Sequence, residues 1–277
     1  MKTTLQTMVI HKAITELGAF EALRRAREAG YRAAEISGHF RCDDAMVEEL
    51  CRARDELGME IAALNVVYDG PFEAGERPAG GSTLSLAADF DKAVGYARRL
   101  GTKYLRYAGS PAWALTDMGK VREYFALTEE YCLRLEKEGL KLCMHNHDGE
   151  FAKTEGRFLL DWALELAPHL CFEFDVAGAC HAAVDLKDTL RRLKGRVPLI
   201  HFCDIKIVPH AGRVPMDQTI VGCPLGEGNI DVKSFAQTAM ECGNEYFIIE
   251  MPDQSDPYAA IRLAADNMKA LGFAHTF

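Results

Sequence analysis

Apolar residues along the chain form short continuous runs that alternate with longer stretches of helical spacing. Leu17, Phe20, Leu23 and Ala26 recur about every three residues, close to the helical period, and Gly30 ends that helix. The continuous runs are typical of parallel strands that are buried on both faces. We predict strands at 5–10, 31–36, 60–67, 102–107, 140–144, 170–174, 198–203 and 246–249 and helices at 17–28, 43–57, 83–100, 117–138, 157–166, 185–193, 231–242 and 257–271.

The repeated strand–helix unit determines the fold class. Eight such units in 277 residues predict an α/β protein with one (β/α)8 TIM barrel domain over residues 1–277. A doubly wound sheet is the alternative, but that fold often carries a Gly-rich first turn, and neither G-x-G-x-x-G nor G-x-x-x-x-G-K-[ST] occurs. The segment 207–229, which contains Gly and Pro, is either a lid or a plain surface insertion.

Composition narrows the class of partner. The formal net charge is −9 and there is no basic run, which disfavours nucleic acid and anionic membrane surfaces. The sequence has no apolar stretch of transmembrane length and no signal-peptide core at its start. Its nine cysteines are odd in number and form no C-x-x-C pair, which predicts reduced thiols in a cytoplasmic protein.

Candidate chemistry lies where the predicted strands end. In a TIM barrel the active site is built at the C-terminal ends of the strands. The fifth, sixth, seventh and eighth predicted strands each end in an acid or an imidazole. Together these strand ends carry eight polar residues: His145, His147, Glu150, Asp175, His201, Asp204, Lys206 and Glu250. The polar residues after the fifth strand, taken alone, could form an ordinary loop in which the histidines are hydrogen-bonded to their neighbours. Four consecutive strand ends on one rim instead predict a shared site.

The residue types in this set suit a divalent metal. Carboxylate oxygens with one or two imidazole nitrogens fit Mn²⁺, Co²⁺, Mg²⁺ or Zn²⁺, and the absence of thiolates disfavours structural zinc. A metal with open positions could polarise a carbonyl or hydroxyl of a bound sugar. Glu173 alternates with Asp175 and could also face the barrel. The candidate substrate contacts are Asp204 from this set and three further residues, His39, Arg106 and His181.

Several motifs together resemble the sugar phosphate isomerase/epimerase family with the xylose-isomerase-like barrel, in its H-N-H-x-x-E-F branch. They are H-N-H-D-G-E-F at 145–151, E-F-D at 173–175, I-H-F-C-D-I-K at 200–206, L-G-E-G-N-I-D at 225–231 and I-I-E at 248–250. The resemblance covers essentially the whole chain. The superfamily also contains tagatose epimerases, inosose dehydratases, 3-dehydroshikimate dehydratases and endonuclease IV.

The resemblance implies one divalent metal, often Mn²⁺, held by Glu150, Asp175, His201 and Glu250. In the sugar epimerases, however, the strand-five ligand is a Glu that sits about where His145 stands here. We therefore expect a histidine base, His145 or His147, to remove the proton next to a ketone.

The expected intermediate is a metal-stabilised enediolate, and Lys206 helps to hold its charge. Reprotonation would make the protein an isomerase or epimerase of a small carbohydrate. Loss of a β-substituent would make it a dehydratase or lyase, acting on an inosose-like or 3-keto-glycoside substrate or serving as a C-glycoside-cleaving subunit. An endonuclease IV-like activity conflicts with the acidic balance, and a silent binding subunit conflicts with the intact rim. The sequence leaves open a homo- or hetero-oligomer.

Overall fold

The structure is a computed structural model that describes residues 1–38, 40, 42–68, 84–110, 115–209, 218–251 and 255–277. Its central element is a barrel of parallel strands: β1 Lys2–Gln6, β2 Ala33–Ile36, β3 Glu60–Val67, β4 Tyr104–Ala108, β5 Lys141–His145, β6 Cys171–Asp175, β7 Leu199–Phe202 and β8 Tyr246–Ile249. Consecutive strands pair in parallel, and β1 pairs with both β2 and β8, which closes the sheet. The predicted (β/α)8 barrel is confirmed.

Helices surround the barrel: α1 His11–Leu17, α2 Ala19–Glu28, α3 Asp44–Leu57, α4 Phe90–Leu100, α5 Met118–Lys137, α6 Leu159–Leu166, α7 Val176–His181, α8 Leu186–Arg192, α9 Val232–Glu241 and α10 Pro257–Met268. Several begin at an aspartate whose carboxylate accepts a hydrogen bond from the first-turn backbone: Asp43, Asp117, Asp185, Asp231 and Asp256. A carboxylate in that position satisfies an otherwise unpaired N–H group and stabilises the helix start.

Several sequence-based assignments differ from the structure. The first strand is Lys2–Gln6 rather than 5–10, because the Gln6 side chain accepts from Met8 N and starts a 3-10 turn over Thr7–Ile10. The third predicted helix begins at Phe90 rather than at residue 83, and a short strand, Leu84–Ser85, precedes it. Helices α1 and α7 were not predicted. The segment after β7 contains an antiparallel hairpin of Asp204–Pro209 and Gln218–Cys223. This hairpin is compatible with a lid and with a plain surface insertion alike.

Apolar side chains pack against both faces of the strands. On the outer face, Phe235 of α9 packs against both Phe202 and Phe247, whose rings stack with centroids 5.0 Å apart. Full burial of such a side chain contributes roughly 1.5–3 kcal/mol. Inside the barrel, at the N-terminal ends of the strands, a layer that we call the barrel floor contains Ala33, Ala62, Ala63, Tyr104, Cys143, Cys171, Leu199, Tyr246 and Ile248. The apolar packing thus fixes β6 to β8, whose C-terminal ends carry the candidate site.

Among the described residues, no helix has both the length and the apolar character needed to span a bilayer. All nine cysteines have free thiols.

Candidate metal centre

Three buried side chains with metal-ligand atoms meet at the C-terminal ends of β5, β6 and β7. They are His145, Asp175 and His201, and their ligand atoms all lie within 4.8 Å of one another. Each residue is only 4% exposed. Parallel pairing produces this convergence, because His201 lies beside Asp175 in register and His145 lies beside Glu173. We call these three residues the ligand cluster.

His145 is held by a carboxylate beneath it. Its Nδ1 lies 2.9 Å from Glu173 Oε2, and Glu173 in turn lies 3.5 Å from the guanidinium of Arg106. Burial, together with the charges of His201 and Arg106, lowers the pKa of His145 well below its ordinary value. The ring is therefore neutral and has Nε2 available. A histidine whose second nitrogen is held by a carboxylate is the usual arrangement of a metal-binding imidazole.

At the end of β6, Asp175 both caps helix α7 and belongs to the ligand cluster. Its carboxylate accepts hydrogen bonds from Ala177 N at 3.3 Å and Gly178 N at 2.7 Å, and so caps α7. Burial raises the pKa of Asp175, but the nearby imidazoles of His201 and His145 and the Gly178 N–H together hold it below its ordinary value. The carboxylate is therefore ionised and fixed in orientation, as a metal ligand must be.

His201 directs one ring nitrogen at carboxylates. Its Nδ1 lies 3.2 Å from Glu250 Oε2 and 3.7 Å from Asp175 Oδ1, yet makes no hydrogen bond within the part of the chain that the structure describes. Burial lowers the pKa of His201, but Glu250 and Asp175 outweigh burial and raise it to about 10. Gln6 Nε2 lies 3.3 Å from the opposite ring nitrogen.

The ligand cluster fits a divalent cation. Buried polar atoms are normally hydrogen-bonded. The Nδ1 of His201 faces two carboxylates but makes no hydrogen bond among the described residues, which points to a further group between them. Two imidazoles and one or two carboxylates are donors that suit Zn²⁺, Mn²⁺ or Co²⁺. Glu250, whose side chain is 20% exposed, stands at the edge of the cluster with its Oε2 3.2 Å from His201 Nδ1.

Glu150, the expected fourth ligand, lies outside the ligand cluster. It belongs to a 3-10 turn, Gly149–Phe151, and its carboxylate accepts hydrogen bonds from the backbone and hydroxyl of Ser110 and from His147 N. The side chain is buried, with 1% exposure. Glu150 therefore ties the loop after β4 to the loop after β5.

His147 stands at the mouth of the site. It is exposed, and its ring packs edge-to-face on His145 with centroids 4.7 Å apart. Two glycines make room for its loop. A Cβ added to Gly109, which has φ +56°, would lie 3.3 Å from His147 Nδ1, and one added to Gly178 would lie 2.6 Å from the His147 carbonyl carbon. The hydrogen bond from His147 N to Glu150 and the close approach of Gly109 and Gly178 therefore restrict the position of His147 from three sides.

The close approach at Gly178 gives a testable prediction. A Gly178→Ala substitution must displace the backbone of His147 and Asp148, because the new Cβ would lie within 3.0 Å of both. We expect a loss of about 1–3 kcal/mol in the free energy of unfolding. Gly95→Ala, in helix α4 with open space around its Cβ, is the control and should gain about 0.5–1 kcal/mol. Equal stabilities in urea titrations would contradict the close contact.

Arg106 lies below the ligand cluster. Its guanidinium lies 3.1 Å from Glu35 Oε1, so two buried carboxylates, Glu35 and Glu173, surround its charge. Burial and the charge of Glu173 raise the pKa of Glu35 to about 8. Sequence reasoning did not single out Glu35 or Gln6, although a Glu inside the apolar run A-A-E-I is a signal that an inward-facing acid would leave.

Asp204 organises the loop after the hairpin. Its carboxylate accepts hydrogen bonds from the backbone N–H groups of Ile205, Gly226, Gly228 and Ile230. The L-G-E-G-N-I-D motif therefore owes part of its sequence to this turn.

The other expected contacts are spread more widely. Lys206 is exposed on the hairpin, beside Val221, and His181 is exposed at the end of α7. His39 lies outside the described residues. The structure thus brings together His145, His147, Asp175, His201 and Glu250 from the expected set.

The closed barrel and a polar site at the C-terminal ends of its strands define the class of protein. The profile of the family described as xylose isomerase-like TIM barrel matches residues 23–271. The chain belongs to this family. A comparison with curated protein sequences finds no match.

Solved structures share the fold at low sequence identity. A sugar phosphate isomerase/epimerase from Parabacteroides distasonis has a TM-score of 0.74 at 17% identity, covering 98% of this chain and 95% of that one. A probable 3-DHS dehydratase, AsbF, from Bacillus anthracis has a TM-score of 0.65 at 18% identity, covering 98% of each chain. The IOLI protein with a bound zinc atom has a TM-score of 0.66 at 15% identity, covering 100% of this chain and 99% of that one.

Proposed function

We propose that the protein is a divalent-metal-dependent enzyme of the isomerase/epimerase type that removes the proton next to the carbonyl of a sugar or keto-sugar. The observation that carries this proposal is the ligand cluster at the C-terminal mouth of the barrel, where His201 Nδ1 faces two carboxylates without a hydrogen bond among the described residues. Family membership and the zinc atom in the IOLI protein support it.

We assign the metal to His145, Asp175, His201 and Glu250. This set replaces Glu150 by His145, since Glu150 is occupied by Ser110 and His147 while His145 is the buried neutral ring. A bound divalent ion would supply polarisation of a substrate carbonyl. Mn²⁺, Zn²⁺ and Co²⁺ all suit the donors, and we favour Mn²⁺ from the sequence resemblance.

We assign the proton transfer to His147. It is exposed where a substrate can reach it, its loop is fixed by Glu150 and Gly178, and its ring contacts His145. An imidazole accepts a proton at neutral pH, and a fixed position makes that transfer efficient. Glu250, partly exposed on the other side of His201, is a candidate for returning the proton. Lys206, exposed on the hairpin, is assigned only a contact to the substrate.

A dehydratase or lyase is the second candidate function. The observation that favours it is the imidazole at residue 145, where the resemblance to sugar epimerases leads one to expect a carboxylate base. With His145 assigned to the metal, His147 is left as a single imidazole base. One such base beside a metal-polarised ketone would suit loss of a β-substituent as well as reprotonation.

Proton exchange tests both outcomes together. Metal-loaded protein would be incubated in D₂O with a panel of ketoses, inososes and 3-keto-glycosides, and products would be followed by NMR. Deuterium next to the carbonyl supports the proposed proton abstraction. A stereoisomer as product identifies an epimerase, and an unsaturated product with a free leaving group identifies a lyase. A metal-loaded protein that exchanges no proton in any member of the panel would contradict the proposal.

The carboxylate beneath His145 gives a further prediction. Glu173→Gln removes the charge that holds Nδ1 of His145 but keeps nearly the same shape. We expect metal affinity to fall about 10–100-fold, because a group that orients a ligand usually has that effect. Glu123→Gln, at an exposed position of α5, is the control and should bind metal normally. Competition with a fluorescent chelator would measure both, and equal affinities would show that Glu173 does not orient His145.

A further inference from the structure

Two cysteines are paired across neighbouring strands at the end of the barrel opposite the metal centre. Cys143 of β5 and Cys171 of β6 are register partners, and both pack in the barrel floor. Because the two residues are register partners and both face the barrel floor, their side chains lie side by side. Neighbouring strands lie about 4.8 Å apart, a Cα separation that a disulfide can span. The two sulfurs are thus placed to form a bond without moving the strands far.

Only one of the two thiols is open to small molecules. Cys143 is fully buried, whereas Cys171 is 5% exposed and lines a cavity of about 170 Å³. Charged groups surround this cavity, and besides Cys171 its walls include Cys132, Glu136, Lys141, His169 and Arg196. The neighbouring Cys143 thiol, together with the charges of Lys141 and Arg196, lowers the pKa of Cys171 to about 7 against the effect of burial. A partly accessible thiolate beside cations is the usual setting of a reactive cysteine.

We propose that Cys143 and Cys171 form a peroxide-sensitive thiol pair, in which Cys171 is oxidised first and Cys143 then closes a disulfide between β5 and β6. The Cys171 thiolate attacks one oxygen of hydrogen peroxide; an S–O bond forms, the O–O bond breaks and hydroxide leaves. The Cys143 sulfur then attacks Cys171, the S–S bond forms, and the S–O oxygen leaves as water with the Cys143 proton. Overall, two thiols lose two electrons and one peroxide becomes two waters.

A second close pair of cysteines provides an internal comparison. Cys203 and Cys223 lie at the base of the hairpin, where Cys223 pairs with Asp204. Burial, together with the charge of Asp204, raises the pKa of Cys223 to about 11. The Cys223 thiol should react slowly with peroxide, since the thiolate is the reactive form.

Peptide mapping of the folded wild-type protein tests the proposal. After brief treatment with equimolar hydrogen peroxide, free thiols are alkylated and the protein is digested without reductant. We expect a peptide pair linked through Cys143 and Cys171, formed on the order of tenfold or more faster than oxidation of Cys223. In Cys143→Ser, a sulfenic acid on Cys171 should be trapped by dimedone.

Two results would overturn the proposal. One is oxidation of Cys223 or of the half-buried Cys51 while the 143–171 linkage is absent. The other is a linkage that forms only in denaturant. The wild-type measurement decides alone if a variant does not fold, and its readout does not depend on the metal or on turnover.

Discussion

An Asp175→Asn variant is expected to fold normally and to lose its bound metal. Asparagine is as good a helix cap as aspartate, so its amide oxygen can still accept from Gly178 N and begin α7. The variant nevertheless lacks the negative charge that faces His201 Nδ1 and draws a cation to the ligand cluster. We expect about one metal ion per chain in the wild type and on the order of a hundredfold weaker binding in the variant.

The same experiment can separate the two ligand sets. Elemental analysis after purification without chelator should find little metal in His145→Gln and near-normal metal in Glu150→Gln. The reverse pattern would favour the ligand set expected from the sequence resemblance, with Glu150 as ligand and His145 as base. Thermal melting of each apo-protein serves as the folding control. Full metal occupancy in Asp175→Asn would remove the ligand cluster from consideration as the metal centre.

Removal of the proposed base is expected to have the second large effect. His147→Gln keeps the backbone N–H that Glu150 holds and keeps a side chain of similar size, but it cannot take up a proton. Proton exchange next to the substrate carbonyl should fall by about 10²–10⁴-fold, the usual contribution of a general base. Metal content should be unchanged, because His147 lies outside the ligand cluster.

The control for this variant is His275→Gln, an exposed histidine in the C-terminal turn. It should exchange at the wild-type rate. If His147→Gln also exchanges normally with metal bound, proton removal must be assigned to another group, and Glu250 is the next to test. A change confined to KM would instead indicate that His147 holds the substrate.

The barrel could be predicted because its strands are buried on both faces. Residues such as Leu199 and Ile200 face the interior and the helices respectively, so the strand is apolar throughout and stands out from the helical spacing on either side. The first strand was misplaced because its polar residues Lys2 and Thr3 are fixed by pairing with Tyr246 and Phe247 at the other end of the chain. Such a pairing leaves no local pattern.

The site was predictable in part, and the difference lies in local geometry. Asp175, His201 and Glu250 end or follow strands, so the alternation of side chains carries them to the mouth of the barrel. His145 is still paired with Ala108 and keeps that alternation. Glu150, only five residues later, lies in a 3-10 turn that directs its carboxylate back to Ser110 and His147. Sequence spacing alone does not give the rotation of that turn.

Local sequence patterns were enough to predict the barrel, the end of the barrel that carries the candidate site and the residue types of a candidate metal centre, because periodicity and strand ends are local properties. The folded chain was needed to show which imidazole joins the ligand cluster and which acid secures a loop. It also revealed the buried Glu35, Arg106 and Glu173 beneath the cluster and the Cys143–Cys171 pair. These contacts depend on register between strands distant in sequence, which is set by the packing of the whole barrel.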